Sequence, residues 1–167
     1  LLIRGAKVLD GAGNPWVQQD VGVRGDRIAF VGHAGAAGVS ARDTLDARGL
    51  VLTPGFIDAH SHFEADEAYG RDARPFLYQG ITTAVIGLDG GGTDDIAAQF
   101  ERYRKAGIGL NVLTFVGHGA ARSAVMGQAA REPTSAELDA MRAYVRRGMQ
   151  QGAFGLSSGL FYSPGTF

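Results

Sequence analysis

Two histidines, His60 and His62, close a short apolar run, Phe56-Ile57-Asp58-Ala59. On an extended strand, residues two apart project to the same side, so both imidazoles face one point. Imidazole nitrogens suit zinc and related divalent ions. Such an ion lowers the pKa of bound water to about 7 and polarises a carbonyl oxygen, which is the chemistry of hydrolysis. The pair alone is a weak signal, because neighbouring histidines also occur as surface or hydrogen-bonded core groups. The apolar strand leading into it raises the metal reading. Glu64 and Asp66 follow closely and read as solvated or outer-sphere acids rather than ligands. The sequence has no cysteine, so an ion here takes nitrogen and oxygen donors.

Other residues carry chemistry with a competing structural reading. His118 could contact a substrate or a water, or simply hold a loop. Arg122 could grip a substrate carboxylate through two parallel hydrogen bonds, or be a surface charge on a helix. Tyr162 and Phe161 could line a pocket or serve plain packing. Ser157 and Ser158 have no histidine partner suggested by the sequence, so a serine-hydrolase reading is rejected. His33 reads as a surface residue.

The elements that must position these groups change character near Pro54. Before it, short alternating runs and tight turns prevail. Leu1–Arg4 and Lys7–Leu9 are two short extended runs flanking Gly5. Asp20–Arg24 and Arg27–Val31 flank the two-residue loop Gly25-Asp26, a hairpin signal. Residues 1–53 thus read as a small antiparallel β-domain. After Pro54 the pattern becomes βαβαβαβ. Ile81–Ile86 is β-branched and apolar, as in a buried parallel strand. Thr93 is expected to cap a helix over 94–106, stopped by Gly107. Leu110–Val116 is the next strand. Thr134-Ser-Ala-Glu137 spells a capping box for a helix with Leu138, Met141 and Val145 on one stripe. Gly152–Leu156 is a fourth strand. This order argues for a parallel sheet with helices outside it. A complete eight-fold barrel needs ~250 residues, so residues 54–167 would hold only its first four βα units. A four-stranded doubly wound sheet is the complete-domain alternative, but the first βα loop carries His60-Ser-His62 in place of a G-x-G-x-x-G turn.

Composition narrows the class. The net charge is −1 and 45% of residues are hydrophobic, an ordinary globular balance without the electrostatic footprint of a nucleic-acid or anionic-membrane binder. No apolar run approaches the ~20 residues of a membrane span. The lack of cysteine leaves the compartment open, with the cytoplasm favoured and an exported mature protein also compatible.

Pro54-Gly-Phe-Ile-Asp-Ala-His60-Ser-His62, after a small β-domain, resembles the opening signature of the amidohydrolase superfamily. Gln79-Gly-Ile-Thr-Thr-Ala-Val-Ile-Gly87, Val116-Gly-His-Gly-Ala-Ala-Arg122 and Gly152-Ala-Phe-Gly-Leu-Ser-Ser-Gly-Leu-Phe-Tyr-Ser-Pro-Gly165 are similar to segments of its D-aminoacylase (N-acyl-D-amino-acid deacylase) group. The resemblance implies an α/β fold: the first half of a metal-dependent (β/α)8 TIM barrel, with a β-domain completed by C-terminal residues beyond this chain. It implies hydrolysis of N-acyl-D-amino acids to a carboxylate and a D-amino acid. It also implies a third ligand at Asp89, where that group commonly has a cysteine. Oxygen in place of sulfur keeps zinc, as one or two ions, but admits Mn, Co or Ni. The remaining ligands and the general acid/base, an aspartate of the last strand, would come from the C-terminal half. Many superfamily members bridge their metals with a modified lysine. Here Lys7 and Lys105 are the sole lysines, and both fall away from the barrel mouth in this layout, which lowers a cyclic-amide hydrolase reading. Dipeptidase, lactonase and a silent scaffold stay as rivals. The implied partners are a small-molecule substrate and the rest of the same protein; homo-oligomerisation is left open.

Overall fold

The computed structural model describes residues 1–65 and 70–166. It contains two compact units, Leu1–Pro54 and Gly55–Phe167. Among the described residues, no helix is long and apolar enough to cross a membrane.

The first unit is one sheet of five strands: β1 (Leu2–Val8), β2 (Val17–Arg24), β3 (Arg27–Gly32), β4 (Thr44–Asp46) and β5 (Val51–Leu52). The order is β3-β2-β1-β4, with β5 also on β1. The hairpin of β2 and β3 turns at Gly25-Asp26, as the alternation predicts. Two expectations are corrected. The runs around Gly5 form a single strand, in which the register shifts between Ile3 and Ala6. There Asp20 of β2 bridges the irregularity: its Oδ1 accepts from Gly5 N at 2.8 Å and its Oδ2 from Ala34 N at 2.8 Å. These amides, Ala34 first, hold the Asp20 carboxyl below its usual range. The sheet is also mixed rather than purely antiparallel, because β4 and β5 return to the free edge of β1 and run parallel to it. Leu2, Ala6, Val21, Ala34 and Ala47 are buried in this unit. His33 is exposed, and Lys7 lies over the Trp16 ring.

The second unit follows the βα order read from the sequence. Its elements are β6 (Phe56–Asp58), α1 (Arg74–Leu77), β7 (Ile81–Ile86), α2 (Ile96–Ala106), β8 (Asn111–Gly117), α3 (His118–Met126), α4 (Ser135–Gln150) and β9 (Gly155–Ser157). The four strands lie in sequence order and all pair in parallel. Helix α1 packs against β7, and α3 and α4 pack against β8. Ile96, Val116, Ala121, Tyr144 and Ala153 form one buried cluster, and Ile86, Ala65 and Tyr103 another. The fourth strand begins later than expected, because the Gly152 and Ala153 amides still bond to Met149 O and Gly148 O at the end of α4.

Helix α2 starts at Ile96 rather than 94. Its cap is Asp95, whose Oδ1 accepts from Ala98 N at 2.9 Å, while Thr93 Oγ1 accepts from Asp95 N just ahead of the helix. The expected stripe on α4 forms: Leu138, Met141 and Val145 line one cavity together, beside the buried face of Tyr144 and Gly148, with Leu138 at its exposed rim.

The capping box on α4 forms as the sequence spells it. Glu137 N donates to Thr134 Oγ1, and Glu137 Oε2 accepts from Thr134 N at 2.8 Å. Arg131 adds a two-pronged ion pair at 2.6 and 2.8 Å. Arg131 foremost, then Thr134, holds the Glu137 carboxyl down at about 2, against a usual 4.5. A carboxylate with a depressed folded-state pKa adds stability that is full above 4.5 and disappears as pH falls through about 2. Glu137→Gln in the full-length protein is therefore expected to lower Tm at pH 7. The gap to the parent should narrow as pH falls from 4.5 toward 2. Melts at pH 7, 4 and 3 check this, and a gap that widens on acidification would contradict it.

Candidate metal centre

The histidine pair lies just past β6, not on it. Asp58 Oδ1 accepts from His60 N at 3.2 Å. Ser61 N then donates to Val85 O at 2.9 Å, so the strand-like alternation persists beyond the strand's end. Ser61 is buried, and His60 and His62 on either side of it are exposed. Their rings sit 5.4 Å apart, tilted by 57°.

The third group comes from the loop 87–92 after β7. Asp89 has φ +55°, a conformation rare for a residue with a side chain. The neighbouring chain holds it there. Ser157 Oγ donates to Gly87 O at 2.7 Å and accepts from Gly90 N at 3.1 Å. Ala120 N donates to Gly90 O at 2.9 Å. At Gly117 a Cβ would overlap the Gly91 carbonyl, and at Gly159 one would overlap the Asp89 carbonyl, so only glycine allows these close approaches.

Asp89 Oδ2 consequently lies 3.2 Å from His60 Nε2 and 3.1 Å from His62 Nε2. One ligand atom from each of the three falls within 4.8 Å of the others. Two imidazoles and one carboxylate converging beyond the carboxyl ends of β6 and β7 fit a borderline divalent ion such as zinc, and equally accept harder ions.

His62 and Asp89 open onto a cleft of about 820 Å³. Glu64 and Tyr162 share that cleft, while Glu64 stays outside the three-residue group. Asp66 lies outside the described residues. Phe161 is exposed and packs edge-on against Tyr162. His118 and Arg122 are placed elsewhere: they line a second cavity of about 550 Å³ with Leu138, Met141 and Leu156. Arg122 is buried and donates from Nη2 to Ala129 O and Arg131 O at 2.9 and 2.8 Å, tying down the turn between α3 and α4. His118 Nδ1 and Arg122 Nε are buried without a partner among the described residues. Lys105 lies in the last turn of α2. Sequence reasoning passed over Gln128 and Ser163, which hydrogen-bond at 2.7 Å on the cleft wall, and the loop-binding part of Ser157. Neither has a local signature, because both contacts join distant segments.

This parallel βα sheet, with two histidines at its carboxyl edge, is an amidohydrolase arrangement, and the Amidohydrolase family profile matches residues 43–164. The chain belongs to that family. It is 36% identical to a D-aminoacylase of Alcaligenes xylosoxydans xylosoxydans, over 98% of this chain and 38% of the relative. An N-acyl-D-aspartate deacylase of the same organism is 39% identical, over 99% and 37% respectively. Among solved structures, a D-aminoacylase superposes with a TM-score of 0.88 at 37% identity, and an N-acyl-D-glutamate deacylase of Bordetella bronchiseptica, complexed with zinc and a phosphonate inhibitor, with 0.89 at 34%. Each covers 99% of this chain and 39% of the relative. The chain thus spans well under half the length of these relatives. Its fold is a β-domain followed by part of a (β/α)8 barrel.

Proposed function

We propose that the whole protein is a metal-dependent hydrolase that cleaves the amide bond of N-acyl-D-amino acids. The observation that carries this is the convergence of His60, His62 and Asp89 at the carboxyl edge of the sheet, in a chain aligned over nearly its full length with D-aminoacylases. His60 Nε2, His62 Nε2 and Asp89 Oδ2 would hold a divalent ion, zinc foremost, with Mn, Co or Ni as alternatives. When bound, that ion supplies Lewis acidity, which acidifies water and polarises an amide carbonyl. A related D-aminoacylase is described as having a binuclear metal centre, and the free oxygen of Asp89 offers this chain a way to share a second ion.

His62 and Asp89 present the site to the cleft. Tyr162, Gln128 and Ser163 offer hydroxyl and amide groups along its wall, where they can orient a polar substrate. Further ligands, the general acid/base and the strands that close the barrel would come from C-terminal residues outside this chain. The same residues would complete the β-domain 1–53, and 54–167 would form the first four βα units of the barrel.

The test of substrate class is a panel of paired N-acetyl-D- and N-acetyl-L-amino acids with neutral and acidic side chains, given to the full-length protein. The D-enantiomers are expected to be hydrolysed with at least about a hundredfold preference in kcat/KM, equivalent to ~2.7 kcal/mol of differential transition-state binding. Turnover of neither enantiomer, with turnover of dipeptides or lactones instead, would keep the family and discard the deacylase assignment.

A further inference from the structure

We propose that the segment Ser157–Gly159 at the end of β9 is the template that fixes Asp89, with Ser157 as a positioning residue for the metal centre. This rests on the metal reading above. Asp89 adopts a left-handed φ of +55°, a region that residues other than glycine visit sparsely, and the contacts around it hold it there. Ser157 does so through one oxygen. Its hydroxyl donates to Gly87 O at 2.7 Å and accepts from Gly90 N at 3.1 Å, bracketing Asp89 on both sides. Ser157 is buried, so water does not readily replace these bonds. The Asp89 carbonyl meanwhile rests on Gly159, where a Cβ would overlap it.

The same geometry explains why Ser157 is not a nucleophile. Its proton is committed to a backbone carbonyl, and no histidine is among its hydrogen-bond partners in the described residues. Only a hydroxyl can donate and accept at this spot together. Alanine would leave Gly87 O and Gly90 N unpaired and let the loop relax, carrying Asp89 Oδ2 away from the two imidazoles. The methyl group introduced by Gly159→Ala would displace the Asp89 carbonyl from the other side.

The test uses the full-length protein, stripped with chelator and titrated with zinc. Ser157→Ala and Gly159→Ala are each expected to weaken zinc binding roughly tenfold to a hundredfold, the cost typical of losing a group that orients a ligand. The absorption bands of cobalt(II) bound in place of zinc should change in both variants, whereas a purely structural role would lower Tm and leave those bands alone. Folded variants that bind zinc within twofold of the parent would overturn the proposal. If one variant does not fold, the other decides. If neither folds, the segment is structural and the proposal fails. His60→Ala, titrated in parallel, separates the two claims. Unchanged zinc affinity there sinks the metal reading itself; its loss there, with unchanged affinity in Ser157→Ala and Gly159→Ala, sinks only the positioning claim.

Discussion

Full-length protein carrying His60→Ala and His62→Ala together is expected to lose metal and to fall at least about a thousandfold in kcat/KM on its best substrate. The two Nε2 atoms lie 3.2 and 3.1 Å from one carboxylate oxygen, so they account for two of the three donors this chain brings together. A Lewis acid contributes several kcal/mol to the transition state of hydrolysis, and ~4 kcal/mol corresponds to a thousandfold in rate. Both imidazoles are largely exposed and absent from the buried clusters, so the double variant should keep the parent's Tm to within a few degrees. Measured together, metal content, turnover and Tm tell a lost ligand from a lost fold. A variant with normal metal content and normal turnover would remove the pair from the mechanism.

Asp89 should decide which ion the site prefers. Asp89→Ala removes the shared oxygen and is expected to weaken zinc binding by roughly a hundredfold or more, above what loss of an outer partner costs. Asp89→Cys is the more informative variant. A thiolate favours zinc over manganese, whereas a carboxylate accepts both. The Cys variant should therefore show a higher ratio of zinc to manganese affinity than the parent. An unchanged ratio would mean that Asp89 is a turn residue whose side chain touches no ion. That reading has physical support of its own, since aspartate in a glycine-rich turn is common and tolerates the left-handed conformation seen here.

The parts of this molecule legible in its sequence were those fixed by local rules. The Thr134–Glu137 box needs only two side chains three residues apart, and it forms. The β2–β3 hairpin needs only alternation around Gly25-Asp26. The apolar run Ile81–Ile86 became a central parallel strand because both of its edges are covered by neighbours. Where several residues could serve one local purpose, the sequence was ambiguous. Thr93, Asp94 and Asp95 are all able to cap a helix, and only the path of the chain selects Asp95. Long-range pairings were invisible, such as the parallel return of β4 and β5 onto β1.

The site divides along the same line. The spacing of His60 and His62 announced a shared direction, and the fold extends that alternation past the strand's end through the Ser61 amide. Asp89 drew its interest from likeness to a family, since nothing in Gly87-Leu-Asp-Gly90 alone separates a ligand from a turn. Arg122 carried no signal of its placement, because its partners are backbone carbonyls that any residue could supply. Ser157 lies 67 residues from one of its partners and 70 from the other, beyond the reach of any local pattern.

The central claim is that a metal held by this chain drives D-selective amide hydrolysis. Its most direct test follows N-acetyl-D-amino acid hydrolysis by full-length protein before chelation, after chelation, and after zinc is returned. The account predicts turnover that disappears with chelator and recovers with zinc in the parent, and that zinc fails to restore in protein carrying His60→Ala and His62→Ala. Hydrolysis that persists at full rate in metal-free protein would contradict it.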